Sequence, residues 1–436
     1  MTNNHQRIWA IAGPAILANI SAPLIALVDT WAIGHLPGAK YLAAVGLATT
    51  IFTFILWAFG FLRMGTTGLV AQADGKGDKV QLHIICARAL TIGLIAGLVM
   101  MMLSREAVLL GISLMEAPAE TRPLVMEYAL IRQYSMPASL MIYALNGILI
   151  GLAKTKSALV LQLVLNIANG ILNVIFVIGL GMGVEGVALG TVLAEWLAVL
   201  TGIYLLSKHI DLPALLKAFI AARTWHLAAF ARFMALNGFI FARTLLLMTT
   251  GILVMAQSSH YGSDAVAASH IMNQFSLLIS LGLDGIAYAV EALAGNAYGA
   301  RDRVRFRYWS ITTTLWAVAL SLVYTAGFWA FGEGIVFTLT EVESVRIAMH
   351  NLMPVILAMP LVAVWSYQFD GIFISATDTK AMFATMLVSF AAFFVALEFL
   401  PAAYGFQGIW LAMLVFLATR GLSQAIWYPR IEKRLV

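Results

Sequence analysis

Long apolar segments separated by short polar loops make up most of this chain. An α-helix needs about 20 apolar residues to cross a bilayer. The apolar residues do not alternate with polar ones, as they would in the roughly 10-residue strands of a membrane β-barrel. The pattern therefore predicts an all-α integral membrane protein with twelve transmembrane helices. They lie at roughly residues 9–34, 42–66, 86–103, 123–151, 157–180, 184–207, 231–257, 265–297, 309–332, 348–376, 381–400 and 405–428.

The second half of the chain repeats the first. Gly38-Ala-Lys-Tyr-Leu-Ala-Ala resembles Gly262-Ser-Asp-Ala-Val-Ala-Ala, and Asn146-Gly-Ile-Leu-Ile resembles Asp370-Gly-Ile-Phe-Ile at the same displacement along the chain. An even number of helices in each half gives both halves the same orientation in the membrane. We therefore predict two six-helix lobes, 1–207 and 231–436, joined by a linker, 208–230. A pseudo-two-fold axis along the membrane normal would relate them, as in many secondary transporters.

The basic residues predict the orientation. Most Lys and Arg residues fall in the loops on the side of the two termini, whereas the opposite side carries only Lys40, Arg105, Arg122 and Arg346. The positive-inside rule then places both termini in the cytoplasm. In the linker, Leu212, Leu215, Leu216, Phe219 and Ile220 approximate one helical face, which predicts a short interfacial helix.

Composition agrees with a membrane protein and narrows the possible partners. Charged residues make up 11% of the chain, against about 25% in soluble domains. The net charge of +5 does not indicate nucleic-acid binding, because the basic residues occupy short loops rather than one face. A single cysteine excludes a disulfide within one chain and a cysteine metal cluster. We expect no cofactor and no metal.

Charged residues inside the apolar segments carry most of the functional information. Asp29 lies late in the first segment, with no basic residue within a helical turn of it in sequence. A carboxylate in hydrocarbon is costly, so it should face a cavity, find a partner or bind a proton. The alternative is an aspartate at the outer water boundary near Gly34 and Pro37. An ionisable group inside the membrane is a functional candidate by default.

A stripe of amides could face this carboxylate. Asn166, Asn169 and Asn173 are three and four residues apart in the fifth segment, so they share one helical face. Amide groups can donate hydrogen bonds to a carboxylate or offer carbonyl oxygens to a cation. Hydrogen bonding between helices is the competing interpretation. Thr191 in the sixth segment adds a hydroxyl, and Glu195 follows one turn later.

The second half carries a different set of charges. Arg243 lies in the seventh segment, Asp284 and Glu291 in the eighth, and Asp370 in the tenth. Arg243 could neutralise one of these acids in a buried ion pair, which competes with a transport role. Asp370 is the preferred candidate, because the neutral Asn146 occupies its repeat position.

Two further arginines lie near the ends of segments. Arg63 and Arg420 are expected to extend their guanidinium groups to the cytoplasmic interface. Pro14 lies inside the first segment, where proline removes a helix hydrogen bond and permits either a moving bend or a static kink.

These residues together resemble the MATE (multidrug and toxic compound extrusion) family, in its DinF-type bacterial branch. The similarity extends over essentially the whole chain. It rests on Val28-Asp29-Thr30 with Gly34-His35-Leu36, on Asn169 with Asn173, on Leu283-Asp-Gly-Ile-Ala-Tyr-Ala-Val-Glu-Ala with Tyr298-Gly-Ala-Arg-Asp, and on Asp370-Gly-Ile-Phe-Ile-Ser-Ala-Thr.

The resemblance implies roles for individual residues. Asp29 would be the coupling carboxylate of the first lobe, assisted by Asn169, Asn173 and Thr191, and Pro14 would be the bending point of the first helix. Some relatives have an aspartate where this chain has Asn173. The glutamate that some relatives carry in the seventh helix is also missing, and Arg243 stands near its position.

The sequence thus predicts a secondary active antiporter rather than an enzyme. It would export organic, often cationic, drugs from the cytoplasm through the cytoplasmic (inner) membrane, in exchange for H⁺ rather than Na⁺. The lipids of that membrane are the other expected partner, and a monomer would suffice. Two alternatives stay open: a flippase for a lipid or lipid-linked oligosaccharide, with arginines facing a phosphate, and an integral membrane enzyme with a clustered catalytic set.

Overall fold

The computed structural model describes residues 2–34, 36 and 38–435, apart from the side chains at 2, 3, 25–27, 29 and 229. This part of the chain is α-helical with short 3₁₀ and π segments and contains no β-strand. The all-α prediction is therefore confirmed.

The helices follow the internal repeat. The first half contains α1 (Thr2–Gly34), α2 (Ala39–Ala58), α3 (Phe61–Gly75), α4 (Lys79–Leu114), α5 (Arg122–Arg132), α6 (Met136–Gly151), α7 (Thr155–Asn173) and α8 (Val184–Ser207). The linker forms α9 (Leu212–Ile220), which confirms a helix in this region. The second half contains α10 (Leu227–Ser259), α11 (Ser263–Gly299), α12 (Arg303–Leu339), α13 (Glu343–Ser375), α14 (Thr379–Tyr404) and α15 (Phe406–Lys433).

Twelve long helical stretches correspond to the twelve predicted segments. Within the described residues, 11 stretches are long and apolar enough to cross a membrane, and α1, with 33 residues, is the twelfth. Two of the stretches are interrupted, and a third, which begins with α7, ends in a π-helical segment at Val174–Gly179. The stretch from α2 to α3 breaks at Phe59-Gly60, and that from α5 to α6 passes through a 3₁₀ turn at Gln133–Ser135. The helices also extend beyond the apolar segments into polar end turns.

The turns that end the helices repeat as closely as the helices themselves. Gly77 and Arg301, at equivalent repeat positions, both have positive φ (69° and 56°). The next residue, Asp78 or Asp302, accepts a hydrogen bond from a backbone N–H in the first turn of the following helix, at 2.9 Å in both halves. Positive φ also recurs in three further pairs: Gly38 with Gly262, Ala153 with Thr377, and Gly181 with Gly405. The repeat is therefore a repeat of backbone conformation, even where glycine is absent.

Packing divides the chain into two compact units, Leu17–Met234 and Met1–Ile16 with Ala235–Val436. In the first unit, the apolar core surrounds Phe52, Val108, Met136 and Val184. In the second, Trp9 of α1 stacks edge-on against Trp316 of α12, with ring centroids 5.3 Å apart. The helix α1 is thus shared between the units, with its beginning in one and its remainder in the other.

Small residues permit close helix contacts, as is common between membrane helices. A Cβ atom built on Gly97 of α4 would lie 2.3 Å from the Cα of Pro137 at the start of α6. A Cβ on Gly46 of α2 would meet nothing within 4 Å. The backbones of α4 and α6 therefore require glycine at their contact, whereas α2 does not require Gly46.

Gly97→Ala should consequently destabilise the folded protein by about 1–3 kcal/mol, because the backbones of α4 and α6 must separate to admit the methyl group. The control Gly46→Ala should leave stability unchanged or raise it by about 0.5–1 kcal/mol, since alanine is the better helix former. Thermal unfolding of the purified protein in detergent measures both. Equal melting temperatures for the two variants would contradict this packing.

Candidate functional site

The amide stripe of α7 faces inward and contacts its neighbouring helices. Asn166, Asn169 and Asn173 are all buried, as their spacing of three and four residues requires for one helical face. Asn169 Nδ2 donates a hydrogen bond to Thr191 Oγ1 in α8 over 3.0 Å. The Thr191 hydroxyl donates in turn to the carbonyl of Val187 at 2.9 Å. Two of the residues predicted from sequence are therefore direct partners.

Asn173 lies against the same part of α8. Its Oδ1 is so close to Gly190 that a Cβ built on this glycine would stand 2.2 Å away. Gly190 immediately precedes Thr191 in the chain, so Asn169, Asn173 and Thr191 form one polar contact between α7 and α8. Any side chain at position 190 would displace the amide of Asn173.

The other end of the stripe contacts α1. Asn166 Nδ2 donates to Ser21 Oγ at 2.8 Å, and Gln162 Nε2 donates to Asn166 Oδ1 at 3.1 Å. Asp29 lies eight residues beyond Ser21 in α1, a distance of about 12 Å along a helix. The side chain of Asp29 falls outside the described part of the structure. The Ser21–Asn166 contact nevertheless shows that the helix carrying Asp29 packs against the amide stripe.

A buried ion pair lies one helical turn from Thr191. Arg132 Nη2 contacts Glu195 Oε1 at 2.7 Å, and both side chains are nearly inaccessible. The hydroxyl of Ser139 donates to the other carboxylate oxygen of Glu195. Sequence reasoning noted Glu195 near Thr191 but did not identify Arg132 as its partner. The two residues are 63 positions apart, and no local pattern connects them.

The second half contains a different cluster, centred on Asp370 in α13. The guanidinium groups of Arg243 in α10 and Arg420 in α15 both contact Asp370 Oδ2. Gln424 Nε2 donates to Asp370 Oδ1 at 2.7 Å. All four side chains are buried. We call this set the Asp370 cluster. Of the three acids that the sequence offered as partners for Arg243, namely Asp284, Glu291 and Asp370, the one in contact with it is Asp370.

The expectation that Arg420 reaches the cytoplasmic interface is wrong. Its side chain is only 6% exposed, and it extends into the helix bundle to Asp370. The sequence held a signal for this placement. Arg420 and Gln424 are four residues apart and therefore share a helical face, so their polar side chains extend in the same direction from α15.

One acid of α11, Asp284, lies beside the same cluster. Asp284 is half-buried and Glu291 is buried, and both take part in interactions. Asp284 is electrostatically coupled to Arg420 and to Tyr367. A Cβ atom on Gly371 would approach the carbonyl of Ala287 to 3.0 Å, so α13 and α11 pack closely here. Arg243 and Asp284 therefore both lie near Asp370, the candidate on α13.

The two halves differ in what they can bind. In the first half, a neutral polar surface lies beside the helix that carries Asp29, an arrangement that suits a carboxylate which gains and loses a proton. In the second half, Arg243 and Arg420 already occupy the carboxylate of Asp370. Within the described residues, no group of three or more His, Cys, Asp or Glu side chains is placed to hold a metal ion.

Pro14 lies inside α1, and the helix continues through it. The division of α1 between the two packing units falls two residues later, after Ile16. A Cβ on Gly285 of α11 would meet Ile16 at 2.4 Å, so the helix is tightly packed just beyond the proline. A bending role for Pro14 stays a prediction.

Asp370→Asn should destabilise the protein by about 3–5 kcal/mol, the usual cost of removing one partner from a buried ion pair. The substitution leaves two buried guanidinium groups without their shared anion. In a background that already carries Arg243→Gln, the same substitution should cost less, because only one guanidinium then loses its anion. Thermal unfolding of the unmodified protein, the two single variants and the double variant measures the coupling between Asp370 and Arg243. Strictly additive effects of the two substitutions would contradict the arrangement of the cluster.

Comparison with known proteins agrees with these observations. The MatE family model matches residues 14–175 and 240–400. The chain is 34% identical over 434 residues to DNA damage-inducible protein F of Escherichia coli, covering 98% of this chain and 93% of that protein. It is 23% identical over 431 residues to the probable multidrug resistance protein NorM of Acinetobacter baylyi, covering 95% and 93% of the two chains.

Solved structures share the fold. A variant of the Vibrio cholerae MATE transporter VcmN superposes with a TM-score of 0.87 at 18% identity, covering 98% of this chain and 97% of that chain. A MOP superfamily transporter from Pyrococcus furiosus superposes with a TM-score of 0.86 at 20% identity, covering 98% and 96%. At these identities, the structural likeness supports the fold of the chain rather than a particular substrate.

Proposed function

Because the chain belongs to the MatE family, we propose that it is a secondary active antiporter that exports organic, often cationic, compounds in exchange for H⁺. The observation that carries this proposal is the polar contact of Asn169, Asn173 and Thr191, on the face of α7 that packs against the helix carrying Asp29. The family and its solved structures are transporters, so the membrane-enzyme alternative is set aside.

In the proposed cycle, Asp29 alternates between two charge states. The ionised carboxylate attracts a lipophilic cation into the first half. Protonation from outside removes that attraction and releases the cation, and α1 repacks with a bend at Pro14. The positions of Lys and Arg support a cytoplasmic membrane location with both termini in the cytoplasm. In that orientation, the drug leaves the cell as the proton enters.

The proposal favours H⁺ over Na⁺ as the coupling ion. Na⁺ is a hard cation that binds best to several anionic oxygens. In the first half, the position that is an aspartate in some relatives is the neutral amide of Asn173. In the second half, Arg243 and Arg420 already occupy the carboxylate of Asp370. Binding of a proton requires only the single carboxylate of Asp29.

A flippase for an anionic lipid is the second candidate, and one observation favours it. Arg243 and Arg420 converge in the second half, and paired guanidinium groups are suited to bind phosphate. Both arginines are, however, engaged by Asp370, which offsets part of their charge. We therefore rank this function below cation export.

Asp29→Asn should abolish drug efflux while leaving expression and folding intact, since the amide cannot change its charge with a proton. The control Glu398→Gln alters an exposed acid of α14 and should retain near-normal efflux. Dye efflux from cells that lack other exporters, normalised to the amount of protein in the membrane, measures both variants. Near-normal transport by Asp29→Asn would overturn the assignment of Asp29.

An imposed pH gradient should drive efflux in the complete absence of Na⁺. Purified protein in proteoliposomes, loaded with a fluorescent organic cation, allows each gradient to be applied alone. Transport that requires Na⁺ and ignores the pH gradient would exclude proton coupling. Movement of a labelled anionic lipid between leaflets, without movement of the cation, would instead support the flippase.

A further inference from the structure

The linker between the two halves is fixed to the first unit by a buried arginine. Arg88 of α4 donates from Nε to the carbonyl of Thr224 at 2.7 Å and from Nη2 to the carbonyl of Arg223 at 3.5 Å. The Thr224 hydroxyl donates to the carbonyl of Ala218 at 2.6 Å, which connects the 3₁₀ turn Ala222–Trp225 to α9. The linker is therefore a docked element with a defined position.

Its docked position lies near the membrane boundary. The 36 residues of α4 make a helix about 54 Å long, whereas the hydrocarbon core is about 30 Å thick. If the excess is shared between the two ends, about 12 Å of α4 projects on each side. Arg88 lies nine residues, or about 14 Å, from the beginning of α4. The linker it holds is thus level with the headgroups and the outer edge of the core.

At that level, α9 turns large apolar side chains away from the protein. Leu215 and Ala218 are buried against the first unit, whereas Leu216 is 59% exposed and Ile220 is 86% exposed. The two exposed residues are four apart, so they form one stripe along the helix. Leu227, at the beginning of α10, is 79% exposed. Such a stripe is unfavourable in water and favourable at a lipid interface.

The charges beside this stripe are mostly positive. Lys208, Lys217 and Arg223 are exposed, whereas Asp211 is the single acidic residue of the linker and caps α9 through the N–H of Ala214. Partial burial and the ammonium groups of Lys154 and Lys208 lower the pKa of His209. Its ring is therefore neutral at pH 7 and adds no charge. The linker thus presents a surface that combines apolar and cationic groups.

We propose that α9 and the turn that follows it bind the anionic phospholipids of the membrane in which the protein lies. Leu216, Ile220 and Leu227 insert among the upper acyl chains. Lys217 and Arg223 contact the headgroup phosphates. Arg88 holds the linker at the depth where both contacts form together. This surface is separate from the Asn169–Thr191 contact and from the Asp370 cluster, and it does not depend on the proposed transport reaction.

The lone cysteine makes the insertion measurable. Cys86 is buried in α4, so Cys86→Ala provides a background for a single fluorophore at Ile220→Cys. The control fluorophore is placed at Lys156→Cys, in the exposed first turn of α7. In nanodiscs containing phosphatidylglycerol, a lipid with a nitroxide near its headgroup should quench the Ile220 fluorophore, and aqueous iodide should not. Iodide should quench the Lys156 fluorophore. Equal quenching of both fluorophores by iodide would overturn the proposal. Shielding of Ile220 in native membranes but not in nanodiscs would also overturn it, because it would indicate that a protein partner covers this surface.

The headgroup contact has its own test. Nitroxide-labelled phosphatidylglycerol, titrated into the detergent-solubilised protein, should quench the Ile220 fluorophore. The half-saturating lipid concentration should rise about fivefold for each basic residue that is replaced. Lys217→Gln and Arg223→Gln supply these changes, and Lys380→Gln, in the other packing unit, is the control. Quenching by labelled phosphatidylcholine should be the same with and without each of the three substitutions. Identical titrations of the two lipids, or no effect of Lys217→Gln and Arg223→Gln, would contradict recognition of anionic headgroups.

Discussion

A charge buried within an apolar helix bundle must be neutralised or hydrogen-bonded, and this constraint organises the polar interior of the protein. Asp370 is neutralised by two guanidinium groups and an amide. Glu195 is neutralised by Arg132 and further satisfied by Ser139. Arg88 directs its charge to backbone carbonyls of the linker. Each of these interactions joins segments that are distant in sequence, so the buried charges also determine which helices lie together.

The same constraint separates the functions of the two halves. The repeat gives both halves the same helices and turns, but it does not give them the same charges. Where the second half has Asp370, the first half has Asn146, and where the first half has Asp29, the second has Leu253. The second half uses Asp370 to balance Arg243 and Arg420. An acid that is paired with two arginines stabilises structure, so the proposed ion coupling is assigned to the first half rather than to Asp370.

The fold was predictable from sequence because the bilayer imposes the lengths of the apolar segments. The contact of Asn169 with Thr191 could also be anticipated, since helical spacing puts the amides on one face and α8 follows α7 directly. The pairs Arg420–Asp370 and Arg132–Glu195 could not, because they join positions 50 and 63 residues apart. Helix periodicity predicts which face a residue occupies but not which helix it meets. The break at Phe59-Gly60 lies within an apolar run, whereas that at Gln133–Ser135 coincides with the polar residues Arg132, Gln133 and Ser135.

The repeated turns show how far backbone shape can be retained when residue type changes. Arg301 has the left-handed conformation that Gly77 has in the first half, and Ala153 and Thr377 both have it without any glycine. This conformation costs a non-glycine residue free energy. It is maintained because the backbone N–H of the third residue beyond the helix donates to a carbonyl in the last turn, at 3.1 Å for Asp78 and 3.0 Å for Asp302. The turns at Gly77 and Arg301 consequently have the same backbone conformation and could replace one another. A segment spanning residues 73–81 could be grafted onto 297–305, or the reverse, without altering the path of the chain on either side.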